Sequence, residues 1–201
     1  MDVGTTKAVM LDTVIFNRVL DGVLSVTTLG QCRLMATHVQ HAELSETPEP
    51  GRRDELLKTF EVVSAEVGPV ETAVWDVVGW DQAKWSAEDG MFEHLFAAVQ
   101  EEDRKRGKRK RRINQIRDAL IAETAIKNDL LLLTDDVGLL AVMRTFGGDA
   151  ATLAEFEQEL AAELEARRFD QQIERDGANG RLDELADDAL REHRNGRTSP
   201  L

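Results

Sequence analysis

The sequence predicts a three-layer α/β/α sandwich with a central parallel sheet, followed by a C-terminal helical extension. Short apolar runs that suit buried strands alternate with segments of helical periodicity. This alternation is typical of a parallel sheet that helices cover on both faces. The chain has 201 residues, which is enough for one main domain with a sizeable core.

The first predicted strand is the apolar run Ala8–Leu11, which ends at Asp12. The apolar residues after Asp12 recur at helical spacing, so a helix should follow. Arg33–Ala36 predicts a second strand, and the segment after it predicts a short helix that carries Glu43. The two acids therefore follow two successive strands.

The middle of the chain is less regular. A helix is expected from near Arg52, after the helix breakers Pro48 and Pro50, and Val62 and Val63 predict the start of a short strand. Residues 68–112 are interpreted as an insertion, because their first part is aperiodic and their last part is helical and then basic. The aperiodic part contains three tryptophans, which we interpret as apolar anchors: Trp75, Trp80 and Trp85.

The second half repeats the pattern of a helix followed by a strand. Residues 114–128 are apolar around most of the helical circumference, as expected of a helix buried against a sheet. Residues 130–133 predict a strand that ends before Asp135 and Asp136, and residues 137–146 predict a further helix that stops at a pair of glycines.

The composition changes near residue 149. We assign residues 1–148 to the main domain and residues 149–201 to an acidic helical extension. Leu153, Phe156, Leu160 and Leu164 form an apolar stripe in this extension, which could dock on the domain or on a second copy of the chain. The part after Phe169 is expected to be marginally helical or disordered, because it has few large apolar residues.

The formal net charge of −13 excludes a protein that coats nucleic acid with its whole surface. One segment, Arg104–Arg112, is nevertheless basic at every position except Gly107. It is either a solvated loop or helix end, or a local binding surface for phosphates. On the second interpretation, the candidate nucleic-acid-binding residues are Lys108, Arg109, Lys110, Arg111 and Arg112.

The sequence also restricts the chemistry of a metal site. Cys32 is the only cysteine, so a thiolate cage is excluded and a reducing compartment is expected. With no apolar stretch of signal or membrane length, the protein is expected to be cytoplasmic. His38 and His41 could form part of a transition-metal site, but packing or hydrogen bonding is the preferred interpretation.

The carboxylates suggest a metal site with oxygen ligands. Asp12, Asp135 and Asp136 follow predicted strands, whose carboxyl ends meet at one edge of a parallel sheet. Asp118 shares an apolar stripe with small residues of its helix, where an isolated charge would be costly to bury. Crowded carboxylates favour a divalent counterion, and oxygen ligands with water suit Mg²⁺ or Mn²⁺.

Four segments of the chain resemble, in order, the motif blocks of bacterial PIN-domain nucleases. Together they span residues 8–148, and the similarity extends to the toxins of VapBC-type toxin–antitoxin pairs and to stand-alone PIN proteins. The blocks are LDTVIF at Leu11–Phe16, THVQHAEL at Thr37–Leu44, RDALIAETAI at Arg117–Ile126 and LLLTDD at Leu131–Asp136. The resemblance implies a PIN-like doubly wound sheet with Mg²⁺ or Mn²⁺ at a carboxylate cluster that acts on RNA.

By position, the resemblance implies the catalytic residues Asp12, Glu43, Asp118 and Asp136, which would also bind the metal. Asp135, next to Asp136, is a fifth candidate metal ligand. The chain departs from the family at Val14, where an asparagine is usual. It departs again in the 75 positions between Glu43 and Asp118, a longer interval than in compact toxins.

The leading hypothesis is thus a divalent-metal-dependent endoribonuclease, with toxin of a toxin–antitoxin pair as one biological setting. Its expected partners are an RNA substrate, an antitoxin protein and a second copy of the chain, with no membrane. The alternatives are a PIN-fold nucleic-acid-binding or interaction protein of weak activity, and a PIN-like nuclease that prefers DNA or structured RNA.

Overall fold

The structure is a computed structural model that describes residues 8–64, 66–74, 77–79, 82–84 and 90–195. The three tryptophans lie outside these residues, so their interpretation stays a prediction. The strands are β1 Ala8–Leu11, β2 Arg33–Thr37, β3 Glu66–Gly68, β4 Leu131–Leu133 and β5 Ala150–Ala151. The helices are α1 Thr13–Leu20, α2 Val26–Leu29, α3 His38–Ser45, α4 Pro50–Val63, α5 Met91–Lys105, α6 Arg112–Lys127, α7 Val137–Thr145, α8 Leu153–Ala178 and α9 Arg181–Arg194.

Within the described part of the chain, the five strands form one parallel sheet in the order β3-β2-β1-β4-β5. Val9 of β1 lies opposite Leu34 of β2 on one side and Leu131 of β4 on the other. The order reverses direction between β1 and β4. In open α/β sheets, a crevice forms at the carboxyl ends of the two strands that flank such a reversal.

Helices cover both faces of the sheet, which confirms the predicted α/β/α fold class. Met10 and Leu132 face a core cluster that includes Leu95 of α5, Ala122 of α6 and Leu139 of α7. The strand residues that alternate with Met10 and Leu132 are buried as well. Helices α1, α3 and α4 pack against one another. Burial on both faces explains why the strands are continuous apolar runs.

The third strand lies elsewhere than predicted. Val62 and Val63 are the last two residues of α4, and β3 begins at Glu66, so the strand predicted at Val62–Val63 is wrong. Leu56, Phe60 and Val63 are buried at helical spacing, and this packing extends the helix through the two valines.

The sheet has a fifth strand that the sequence did not reveal. Ala150 and Ala151 pair with Leu132 and Leu133 of β4. Two small residues carry no strand pattern, and their position is fixed by pairing with β4 instead. The sheet therefore extends just past residue 148, where the sequence placed the domain boundary.

The chain divides into two compact units between Glu155 and Phe156. The described part of the second unit is helical, with a turn at Gly180, where φ is +72°. Phe169, Ile173 and Leu190 are exposed in this unit. None of the described helices is long and apolar enough to span a membrane.

Candidate active site

Asp12 lies at the switch point of the sheet, directly after β1. Its Oδ1 accepts a hydrogen bond from the backbone N–H of Thr13 at 2.7 Å and so caps α1. Its Oδ2 accepts a hydrogen bond of 2.6 Å from the hydroxyl of Thr134, which follows β4. The carboxylate of Asp12 is only 6% exposed and is thus fixed between the ends of the two central strands.

Glu43 reaches the same region from α3. Its Oε2 accepts a hydrogen bond of 2.8 Å from the hydroxyl of Thr13, the residue after Asp12. A capping box formed by Thr37 and Gln40 fixes the start of α3, and the Gln40 amide also donates to the carbonyl of Leu11 at 3.3 Å. The helix that carries Glu43 is therefore tied to the end of β1.

Asp118 of α6 and Asp136 after β4 share one cation. The Nζ of Lys110 donates to Asp118 Oδ2 at 2.8 Å and to Asp136 Oδ2 at 2.7 Å. Asp136 also caps α7 through the N–H of Gly138 at 2.8 Å. Lys108 adds a second ammonium group, with its Nζ 3.1 Å from Asp136 Oδ1.

These contacts bring the four predicted catalytic acids into one network. Thr134 connects two of them, because its Oγ1 donates to Asp12 and accepts from the backbone N–H of Asp136 at 3.0 Å. Asp12 and the backbone N–H of Asp136 thus share the Thr134 hydroxyl, and Asp136 and Asp118 share Lys110. Thr13 joins Glu43 to Asp12, because its hydroxyl donates to Glu43 and its backbone N–H donates to Asp12. Their roles as metal ligands and catalysts stay predictions.

Asp135 has different partners from its neighbour. Its Oδ2 is 3.0 Å from Nε of Arg18, and its Oδ1 accepts from the backbone N–H of Leu153 at 3.2 Å. Successive side chains after a strand point in different directions. Here Asp135 points to α8, the helix that follows β5, whereas Asp136 points to the other acids of the network. Its predicted part in metal binding stays a prediction, and these two partners argue against it.

Burial and mutual repulsion make ionisation of the two most enclosed acids costly. Burial raises the pKa of Asp12 to about 6; the hydrogen bond from Thr134 opposes this shift, and the charge of Glu43 adds to it. Burial also raises the pKa of Asp118 to about 7 despite the opposing charge of Lys110. A site with such acids has an unmet demand for positive charge near neutral pH.

Asp136 behaves in the opposite way. Burial disfavours its charged form, yet the hydrogen bonds from Lys110 and Lys108 hold its pKa well below the usual range. Burial likewise opposes the charged form of Lys110, and the charges of Asp118 and Asp136 outweigh it and raise the pKa of the ammonium group. The cluster is therefore electrostatically uneven, with its cations concentrated around Asp136.

The basic segment lies against acidic groups of the domain. Besides the contacts of Lys108 and Lys110, Arg111 lies 3.1 Å from Glu46, and the guanidinium of Arg112 lies 5.7 Å from the ring centroid of Phe96. Arg109 is exposed. The prediction that these five residues bind nucleic acid stays a prediction, but the segment does lie beside the carboxylates.

A polar cavity of about 250 Å³ opens beside Glu43. The residues that line it include Thr13, Glu43, Glu46, Arg111 and Arg117. Arg117 is buried and forms an ion pair with Glu46, with Nη1 3.0 Å from Oε2, and this contact lowers the pKa of Glu46. The cavity thus combines a candidate catalytic acid with two guanidinium groups, both of which pair with Glu46.

The donor chemistry fits Mg²⁺ or Mn²⁺, but the arrangement is not that of a complete cage. Among the residues that the structure describes, no three acidic, histidine or cysteine side chains are grouped so that one metal ion could be held by all of them. Between Asp118 and Asp136 lies the ammonium group of Lys110, which pairs with both carboxylates.

Several residues of the network escaped the sequence analysis. Thr13 and Thr134 orient the acids, and each stands next to or near an acid in the blocks LDT and TDD, which is the signal that could have identified them. Lys110 was expected to bind phosphates, but its contacts are with carboxylates. His41, considered as a transition-metal ligand, has its ring 5.3 Å from that of Phe60, in an edge-on packing contact.

No family model and no curated protein matches the sequence. A comparison with solved structures returns a member of the VapBC family of toxin–antitoxin systems, VapBC-5, from Mycobacterium tuberculosis, at 23% identity and a TM-score of 0.36, over 72% of this chain and 96% of that chain. VapBC2 from Rickettsia felis, bound to a DNA fragment from its promoter, is similar at 13% identity and a TM-score of 0.42, over 72% and 98%. FitAcB from Neisseria gonorrhoeae is similar at 13% identity and a TM-score of 0.32, over 71% and 95%.

Two of these structures are VapBC proteins, and the four sequence blocks are similar to those of VapBC-type toxins. The class that the fold defines is a parallel α/β/α domain with acids at its switch point. Because the identities and TM-scores are low, what this domain does is argued from its own side chains.

Proposed function

We propose that this protein is a PIN-type endoribonuclease that hydrolyses RNA phosphodiester bonds with the help of Mg²⁺ or Mn²⁺. The observation that carries the proposal is the joining of Asp12, Glu43, Asp118 and Asp136 into one hydrogen-bonded network at the switch point of the sheet. These acids come from four separate segments of the chain, and they follow the order of the four PIN-like blocks.

Different side chains of the network would bind the metal, orient its ligands and hold a proton. Thr134 and Thr13 fix the orientations of Asp12 and Glu43, which would be the principal metal ligands. A divalent ion bound here would supply a water of lowered pKa and stabilise the negative charge that develops during phosphodiester cleavage. Asp118 has a raised pKa, so its carboxyl group could also hold a proton near neutral pH.

The basic segment would offset the electrostatic repulsion between such a site and its RNA substrate. Four carboxylates repel the phosphate backbone that they must act on, and the rest of the chain is acidic as well. The segment that anchors Lys108 and Lys110 on the acids also carries three arginines. Arg109 is exposed, Arg111 pairs with Glu46 at 3.1 Å, and Arg112 lies over the ring of Phe96. These three cations would guide the RNA backbone toward the cluster and toward the cavity beside Glu43.

The biological setting belongs to the same proposal. On the strength of the four sequence blocks, we extend the proposal to a toxin whose activity a protein antitoxin restrains. Co-expression with the product of a small adjacent gene should then suppress both RNA cleavage and growth inhibition. Growth inhibition without such a gene would instead favour a stand-alone nuclease.

The first test measures RNA cleavage by purified protein with Mg²⁺, Mn²⁺ or a chelator. Asp12→Asn and Asp118→Asn should each lower the cleavage rate more than about 100-fold, because each removes a charged group of the cluster and keeps its shape. Asp54→Asn, an exposed acid of α4, is the control and should cleave at the wild-type rate.

Two results would contradict the proposal. Cleavage that persists in the chelator would exclude the metal, and wild-type cleavage by the Asp12→Asn protein would exclude the cluster. Parallel digestion of single-stranded RNA, structured RNA and single-stranded DNA of matched sequence identifies the preferred substrate. RNA binding without cleavage of any of them would favour a binding protein of the same fold.

A further inference from the structure

The ammonium group of Lys110 lies between two of the four acids of the cluster. Its Nζ lies between Oδ2 of Asp118 and Oδ2 of Asp136, at 2.8 and 2.7 Å. The side chain of Lys110 is only 24% exposed, so the contact is enclosed. A compact ammonium group with three donors can bridge two carboxylates and still direct one N–H elsewhere.

The backbone on either side of Lys110 is held in place. The N–H of Lys108 donates to the carbonyl of Asp103 at 2.9 Å, and the side chain of Arg111 lies against Glu46 at 3.1 Å. α6 begins at Arg112 and carries Asp118 on its second turn. Lys110 is thus presented to Asp118 by a segment that is anchored on both sides.

The formal charges of the cluster define how much further positive charge it needs. When all four carboxyl groups are ionised, as a bound cation would favour, they face two ammonium groups, those of Lys108 and Lys110, which leaves two negative charges. The nearby Arg18 and Arg117 are engaged elsewhere, on Asp135 and Glu46. One divalent cation would balance the remaining charge, whereas two would leave the cluster positive.

We propose that the ammonium group of Lys110 permanently takes the place of a cation between Asp118 and Asp136, so that this protein binds one divalent ion, at Asp12 and Glu43. The proposal rests on the proposed metal-dependent nuclease function and specifies its metal content. The third N–H of Lys110 is then free to donate to a phosphate oxygen of the RNA. Because ammonium does not acidify water as a metal ion does, its part is to bind and orient the substrate.

Metal content can be measured without RNA. Mn²⁺ binding to the purified chain, followed by calorimetry and by the loss of the electron paramagnetic resonance signal of free Mn²⁺, should give one site for the wild type. Lys110→Gln removes the charge and should give two sites, the second formed by Asp118 and Asp136. The double variant Lys110→Gln/Asp118→Asn should return to one site.

Two matched variants control for folding and for general charge. Lys110→Arg keeps the cation and should keep one site. Arg109→Gln removes the same charge from the neighbouring exposed position and should also keep one site. Circular dichroism of each variant verifies that it is folded.

The inference is overturned if the wild-type protein binds two ions, or if Lys110→Gln leaves the number of sites unchanged. A displaceable lysine is a distinct outcome that also overturns it: Lys110→Gln would then bind the same number of ions more tightly. The proposed function fails by a different measurement, namely the absence of metal-dependent cleavage of RNA. A single Mn²⁺ site in a protein that does not cleave RNA would thus leave the assignment of Lys110 standing.

Discussion

Asp118 is held in a position where its carboxyl group costs the folded protein stability. Its side chain is 11% exposed, and burial raises its pKa to about 7. In an unfolded chain the same carboxyl group ionises near pH 3.8. Folding therefore requires either keeping a proton that the unfolded chain releases or burying a charge, and both cost free energy.

The sign of this cost gives a prediction about stability in the absence of metal. Below about pH 4 the carboxyl group is protonated in both states and costs nothing. As the pH rises to about 7, the folded protein retains a proton that the unfolded chain has lost, so the free energy of unfolding falls, and above pH 7 the loss is constant. Asp118→Asn should remove this pH-dependent penalty, so its stability relative to the wild type should increase as the pH rises.

Thermal denaturation in a chelator, from pH 4 to pH 8, measures this prediction. The difference in unfolding free energy between Asp118→Asn and the wild type should be small at pH 4, should grow up to pH 7 and should then level off. Asp54→Asn makes the same substitution at an exposed position of α4 and is the matched control. An Asp118→Asn protein that is less stable than the wild type at pH 8 would contradict the prediction.

The site residues also show how far the sequence could be interpreted. Asp12 and Asp136 were identifiable because each follows an apolar strand, and Glu43 and Asp118 because their blocks resemble those of a known family. Lys110 could not be assigned to Asp118 and Asp136, because its role depends on how the loop before α6 folds back. A run of basic residues in a sequence shows where positive charge is concentrated. It does not show which group each side chain contacts in the folded protein.

At the scale of elements, regular segments were predicted well and segments defined by pairing were not. Helix α6 is buried over nine consecutive residues, and the apolar residues around most of its circumference predicted this burial. Strand β5, in contrast, consists of Ala150 and Ala151, and it is defined by its pairing with β4. The packing of α4 likewise determined that Val62 and Val63 end a helix.

The turn from α7 to β5 depends on a close approach that only glycine permits. A Cβ added at Gly148 would lie 2.6 Å from Cγ1 of Ile126 and 2.7 Å from Cε of Met143. Gly148→Ala should therefore force these core side chains to move and should destabilise the protein by about 1–3 kcal/mol.

Gly51 provides the matched control for this substitution. It lies in the first turn of α4, and the nearest atom to an added Cβ is 4.0 Å away, on the side chain of Glu49. Gly51→Ala should leave stability unchanged or raise it by about 0.5–1 kcal/mol through its helix propensity. Urea denaturation of both variants compares them directly, and equal midpoints would refute the packing argument.

At the scale of the whole molecule, a net charge of −13 sets the electrostatic background for RNA binding. The attraction to RNA that we propose must then arise from the local segment that ends at Arg112. Replacing Arg109, Arg111 and Arg112 with Ala leaves the two lysines on Asp136 intact. The triple variant should bind RNA more weakly, with a shallower dependence of log affinity on log salt, by up to about two units of slope.

Fluorescence anisotropy with labelled RNA in a chelator gives this slope without cleavage. Arg104→Ala/Lys105→Ala is the control, because it removes two exposed cations of α5 that pair with Glu101 and Glu102. This control should keep both the affinity and the slope of the wild type. Should the triple variant do the same, the segment is a solvated surface or a docking site for a protein.

The spacing of the four acids along the chain has a consequence for protein synthesis. Asp12 is held by Thr134, a residue 122 positions later in the sequence, because β1 pairs directly with β4. A ribosome that has made only the first hundred or so residues therefore carries a chain in which half of the cluster does not yet exist. If the finished protein cleaves RNA as proposed, the nascent chain cannot cleave the message being translated until β4 has left the exit tunnel and joined the sheet.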